Sequence, residues 1–205
     1  MSFSSDERRK LGALLLELGP DAPTLCEWWT TKDLAVHLFV REHRPDATGG
    51  MFIRALQPRL ESVTAAVAER DYADIVHDWA QGAPSWNPMR LADQYVNAAE
   101  HFVHHEDVRR AQPDWEPREL QPSATRDLWR VVTTLGRLLL RGSLATVVVR
   151  RSDGVAATVV DRSASGAEVV TVTGDIGELV LWLYGRKPVE VAIDGDESLV
   201  NRSSV

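Results

Sequence analysis

The run Glu100-His101-Phe102-Val103-His104-His105-Glu106-Asp107 gathers half of the chain's 6 histidines into one short stretch. On a helix, side chains four apart stack on the same face, so Glu100 points with His104 and His101 with His105. Either pair can clamp a divalent cation. A catalytic zinc takes three protein ligands and keeps one position open, so a third donor must come from elsewhere in the chain. His37 is the best donor, because it sits mid-helix among Leu34, Val36, Leu38 and Phe39, where a histidine is out of place unless it faces something polar. His43, beside Arg44, and His77, beside Asp78, read as surface residues. Helical phase does not choose between the pairs. Leu91, Tyr95, Ala99 and Phe102 define the apolar stripe, with Val96 and Val103 widening it. Glu100 and Asp107 lie past one edge of that stripe, His101 and His105 past the other. The plainer reading of the whole segment is a solvated helix face with an ordinary contact from Glu100 to His104. Cys26 could act as a nucleophile, or be a small buried apolar residue near Trp28. Trp28, Trp29, Trp79 and Trp86 could line a pocket, although aromatics at helix ends are more often core.

Helices must position these residues. Leu11, Leu14, Leu15 and Leu18 recur at three- and four-residue spacing across 6–18, and Gly19-Pro20 ends the run. Thr30-x-x-Asp33 resembles a capping box and opens a helix to about Glu42, which stops before Pro45. A third helix covers about 52–69, with Pro58 marking an early kink or a late start. Residues 72–81 form a short helix, 82–88 a loop, and 89–111 the helix that carries the histidine run. Ser123 caps a further helix to Arg141, and Gly142 suits its C-terminus.

Beyond residue 142 the pattern changes. Strands are predicted at 145–150, 155–160, 168–173 and 189–193, with turns at Ser152-Asp153-Gly154 and Ser163-Ala164-Ser165-Gly166 and a helix at 176–184 closing at Gly185. The expected organisation is therefore α+β, with a helical bundle at 1–142 and a small β-β-β-α-β domain at 143–205. A domain that small is marginal alone.

The remaining composition narrows the function classes. A formal net charge of −7, with acidic side chains in excess on both sides of residue 142, removes the usual electrostatic basis for nucleic-acid binding, despite the pairs Arg109-Arg110 and Arg150-Arg151. A hydrophobic content of 44% supports a packed core. No run approaches the roughly 20 apolar residues of a membrane span, and MSFSSDERRK does not resemble a secretory leader, so a cytoplasmic location is expected. The single cysteine allows neither an intramolecular disulfide nor a cysteine-rich zinc site. A monomer or a homodimer fits this sequence equally.

In combination, Trp29-Thr30-Thr31-Lys32-Asp33-Leu34-Ala35-Val36-His37-Leu38, Glu100-x-x-x-His104-x-x-Asp107, and the closing Thr173-Gly174, Glu178-Leu179, Leu183-Tyr184-Gly185-Arg186 and Gly195-Asp196 resemble the actinobacterial mycothiol-dependent maleylpyruvate isomerase family, within the DinB-like metal-binding superfamily. The resemblance spans nearly the whole chain. It is nearest a branch marked by the run His104-His105-Glu106-Asp107-Val108-Arg109-Arg110-Ala111. It implies an N-terminal DinB-like four-helix bundle that holds zinc through one histidine and a Glu-x-x-x-His pair, matching His37, Glu100 and His104. It also implies a small C-terminal α/β domain of sterol-carrier type. An arginine of that domain serves the isomerase reaction, and Arg186 matches it; the plainer reading of Arg186 is a cation favoured at a helix C-terminus. The charged residues after His104 depart from the isomerase, which is apolar there, and that separates substrate from metal site.

The resemblance thus implies a zinc-dependent enzyme that activates a low-molecular-weight thiol, mycothiol in the family, for transfer to or isomerisation of a small electrophile. Zinc lowers the pKa of bound water to about 7 or binds a thiol as the nucleophilic thiolate. Arg186 would steady a carboxylate or developing enolate, and Asp107 would orient the His104 imidazole unless it is an exposed helix-end carboxylate. Glu106 or His105 could supply an acid or base. Two other readings remain open: a hydrolase using bound water, and a binding protein in which the C-terminal domain holds an apolar ligand.

Overall fold

The computed structural model describes residues 2–84, 96–187 and 189–202. Trp86, Leu91, Tyr95 and the expected helix start at Met89 lie outside the described residues. Two compact units divide the chain, Met1–Trp115 and Glu116–Val205.

The first unit is helical. Helix α1 (Phe3–Leu18) is capped by Ser2 and ends at Gly19. Helix α2 (Thr31–His43) opens on a true capping box: the Thr30 side chain accepts from the Asp33 backbone N–H, and the Asp33 carboxylate accepts from that of Thr30. A four-residue α3 (Pro45–Thr48) leads through two short 3₁₀ turns into α4 (Gln57–Ala68). The expected helix from 52 therefore starts late. Pro58 sits in its first turn, where a missing N–H costs nothing. Helix α5 (Tyr72–Ala80) is capped by Asp71, and α6 is described over Val96–Arg109, two residues short of the expected end. Helix α1 packs along α5 and α6, and α2 lies against α4 and α5. Leu11, Leu15, Leu34, Leu38, Ile75, Val76 and Trp79 fill the core between them.

The second unit begins with α7 (Pro122–Leu139). Its N-cap is Gln121 rather than the expected Ser123, because Pro122 takes the first helical position with its φ already set. The sheet follows: β1 (Thr146–Arg151), β2 (Ala156–Val160), β3 (Val169–Gly174) and β4 (Val191–Asp194), in spatial order β2-β1-β3-β4. β1 pairs antiparallel with β2 and parallel with β3, and β3 pairs antiparallel with β4. Val147 and Val149 of β1 and Val170 and Val172 of β3 are buried. Helix α8 (Ile176–Leu183) packs on β1, β3 and β4, and α7 packs on α8 and β2. The periodicity change at 142 marks where strands begin, but α7 belongs by its packing with the sheet. Gly195 has φ 108°, and a Cβ there would lie 2.7 Å from the Val169 carbonyl oxygen. Only glycine fits that turn. The sheet and helices together give the expected α+β fold.

Candidate metal centre

The centre is built on α2 and α6. The capping box fixes where α2 starts, and His37 projects from its second turn, half-buried, with the Trp29 ring 5.0 Å from its own. Glu100 and His104 project from successive turns of α6, and the His37 and His104 rings meet edge-on at 5.5 Å. One ligand atom from each of His37, Glu100 and His104 lies within 4.8 Å of the other two. His104 Nε2 is 3.6 Å from Glu100 Oε2. Tetrahedral nitrogen and oxygen ligands of zinc stand about 3.3 Å apart at its usual bond lengths. The donor set and its spacing therefore fit a small divalent cation.

Charged neighbours surround both α6 candidates, Glu100 and His104. Arg41 Nε stands 3.6 Å from Glu100 Oε2, and Arg41 Nη1 donates to Asn97 Oδ1 at 2.8 Å. Burial pushes the Glu100 carboxyl up, but the hydrogen bond from His104 and the charges of Arg41 and His37 outweigh it and hold the group at about 2. His104 Nδ1 donates to Asp107 Oδ2 at 3.0 Å. Burial lowers the basicity of His104, yet Asp107, Cys26 and Glu100 together raise it well above the ordinary range. Asp107 is fully buried rather than an exposed helix-end carboxylate. Its backbone carbonyl accepts from Leu25 N at 2.9 Å, and Gln112 Nε2 donates to Pro23 O at 3.1 Å. The first bond ties the loop before α2 onto α6, and the second ties it to the turn after α6.

That loop carries a group the sequence reading placed elsewhere. Cys26 is not packed as an apolar residue against Trp28. Its thiol donates to Asp107 Oδ2 at 3.3 Å and lies 3.9 Å from His104 Nδ1. Trp28 itself is 91% exposed with φ 68°, so it is neither core nor the wall of this centre. The residues are 78 and 81 apart in sequence from their partners, and no local spacing signals the contact.

The other histidine pair is engaged by different partners. His101 Nε2 lies 3.0 Å from Glu42 Oε1, and its Nδ1 lies 3.1 Å from Ser4 O. His105 Nδ1 lies 2.9 Å from Glu7 Oε2. All four of these carboxylates and imidazoles are buried, so the histidine run is not a solvated face. Glu106 is also fully buried and bridges Arg109 and Arg110, each at 2.8 Å, which occupies it structurally. His43 is half-buried and stacks on Phe39 at 4.5 Å, against the expectation of a surface residue, whereas His77 is exposed. Trp79 is core and donates to Glu42 Oε1 at 3.0 Å.

Arg186 lies in the second unit. Gly185, at φ 74°, ends α8 in the left-handed conformation, with Arg186 N donating to Leu181 O and Gly185 N to Trp182 O, a Schellman motif. Arg186 Nη1 donates to Tyr184 O at 3.0 Å.

No family model matches the chain, and no curated protein does. Two crystal structures resemble it in fold. One is of a mycothiol-dependent maleylpyruvate isomerase, at 14% identity and a TM-score of 0.56, over 93% of this chain and 88% of that one. The other is a histidine-to-alanine mutant of a mycothiol-dependent maleylpyruvate isomerase, at 15% identity and a TM-score of 0.57, over 95% of each chain. At this identity the likeness is one of fold: the chain has the architecture of the mycothiol-dependent maleylpyruvate isomerase over nearly its full length.

Proposed function

We propose that this protein is a cytoplasmic, zinc-dependent enzyme that activates a low-molecular-weight thiol such as mycothiol for addition to, or isomerisation of, a small electrophile. The observation that carries the reading is the convergence of His37, Glu100 and His104, from two helices, within 4.8 Å. The fold likeness to mycothiol-dependent isomerases supports the thiol as co-substrate. Zinc, when bound, would supply a positive centre that favours the thiolate form of a coordinated thiol.

The chain's own residues supply the rest. Asp107 holds the His104 ring so that Nε2 faces Glu100 and His37. His104 and Arg41 hold Glu100 ionised and therefore ready to ligate. Trp29 lies against His37 and limits its rotation. On the resemblance alone, we assign Arg186 the part of steadying a substrate carboxylate by a charge-assisted hydrogen bond.

The test is metal content and thiol turnover together. Wild type is expected to carry zinc, which at about a hundredfold over its dissociation constant stabilises the fold by about 3 kcal/mol. His37→Ala is expected to lose the part of that stabilisation that comes from metal held by His37, Glu100 and His104, while the metal-free protein stays folded, because His37 is only half-buried. Thiol-dependent conversion of maleylpyruvate or a related unsaturated oxo acid would establish the reaction class. Protein that takes up no metal after chelator-free purification would end the proposal, and ester or amide turnover without thiol would replace it with hydrolysis.

A further inference from the structure

His104 uses both ring nitrogens. Nε2 faces the three-ligand centre, while Nδ1 faces Asp107 and Cys26. We propose that Cys26 Sγ, Asp107 Oδ2 and His104 Nδ1 form a second cation site, for a thiophilic divalent ion such as zinc, cadmium or cobalt, with His104 shared between the two sites. The site shares this histidine with the centre described above but does not require that centre to be filled.

Geometry carries the inference. The three atoms form a closed triangle with edges of 3.0 Å from Nδ1 to Oδ2, 3.3 Å from Sγ to Oδ2 and 3.9 Å from Sγ to Nδ1. A tetrahedral zinc bound by one nitrogen, one oxygen and one sulfur requires edges of about 3.3 Å between the two light atoms and about 3.5 Å to the sulfur. Each edge is within about 0.4 Å of what the ion demands, so small side-chain rotations suffice. The ligand types also suit the ion: a thiolate with an imidazole selects zinc and its softer congeners over magnesium or calcium. The backbone bond from Leu25 N to the Asp107 carbonyl anchors the Cys26 loop on the very residue that would share the metal. Cys26 is half-buried and the next two residues, Glu27 and Trp28, are exposed, which leaves an approach from solvent.

The anionic side chains present offset most of the charge of two ions. Binding at the second site displaces the Cys26 thiol proton and the His104 Nδ1 proton to solvent. With both nitrogens ligating, His104 counts as an imidazolate anion. Together with Glu100, Asp107 and the Cys26 thiolate it then supplies four negative charges against two dications and the Arg41 guanidinium, and Asp107 passes from accepting the Nδ1–H to ligating the ion beside that nitrogen.

Cobalt titration followed by absorption tests this, because sulfur-to-cobalt charge transfer appears only when the thiolate is bound. Wild type is expected to take up two cobalt ions per chain and to show the charge-transfer band. Cys26→Ser, isosteric and at a half-buried position, should bind one ion and lack the band, with circular dichroism unchanged. His37→Ala should keep one ion and the band. A single ion without the band in wild type, two ions without the band, or a Cys26→Ser protein that still binds two ions, overturns the second site. A His37→Ala protein that retains both ions would instead sink the three-ligand centre and leave this site standing.

Discussion

At the scale of single residues, the unexpected feature is a second buried polar cluster on α2 and α6, beside the candidate metal centre. Glu42 is fully buried and receives Arg8 at 2.6 Å, His101 at 3.0 Å and the Trp79 indole at 3.0 Å. Burial pushes its carboxyl up, but His101 and Arg8 outweigh that and hold it at about 2, against an ordinary 4.5. The depressed value means the ionised form stabilises the fold above pH 4.5, and the contribution is lost as pH falls toward 2. The difference corresponds to about 3 kcal/mol. Glu42→Gln is expected to destabilise the protein by about that amount near neutrality, since it leaves Arg8 buried without its counter-charge. Urea unfolding between about pH 5 and pH 2 should show a steeper loss in wild type than in the variant. Parallel curves would show that Glu42 contributes nothing through its charge. The same cluster explains why helical phase could not choose between the two histidine pairs: both are buried, His101 and His105 against Glu42 and Glu7, His104 at the proposed metal centre. A polar helix face reads as solvated only when its partners are unknown, and Glu7, Ser4 and Glu42 lie far away in sequence.

At the scale of elements, the helices were legible wherever a cap or a breaker accompanied the apolar period. Leu11, Leu14, Leu15 and Leu18 marked α1, and Thr30-x-x-Asp33 marked the start of α2. Boundaries slipped where proline acts in the first turn, at Pro58 and Pro122, because the same residue that breaks a helix interior favours its start. The cap of α2 matters for function, since it sets the rotation at which His37 emerges. Thr30→Ala removes the acceptor for the Asp33 N–H and should cost about 1 kcal/mol. Metal affinity should fall with it, because the Trp29–Thr30 segment also covers His37. Chemical denaturation and competitive zinc titration of this variant measure the two effects separately. Unchanged affinity alongside lost stability would mean that His37 is placed by core packing alone.

At the scale of the whole chain, the change of period at residue 142 identified the strands but not the compact units, which meet at Trp115 and Glu116. The reason lies in α7. It buries one face, with Leu128, Val131, Val132 and Leu139, and a single apolar face cannot say which neighbour will cover it. All proposed metal ligands lie in the first unit, together with a core of their own. Residues 1–115 expressed alone are therefore expected to fold and to retain metal. Circular dichroism and metal content of that fragment check this, and a fragment that lacks cooperative unfolding would show that the second unit is needed to complete the bundle.

The position of β1 in the sheet also has a consequence for synthesis. β1 and β2 are neighbours in the chain and can close as a hairpin as soon as both leave the ribosome. The parallel partner β3 and the covering helix α8 emerge later. Until then β1 carries an unpaired edge together with the bare side chains of Val147 and Val149. An open valine-rich strand is a template for pairing with other chains. The interval between the emergence of residue 160 and that of residue 183 from the ribosome is thus one in which the nascent polypeptide is exposed to aggregation, and in which a holdase would protect it.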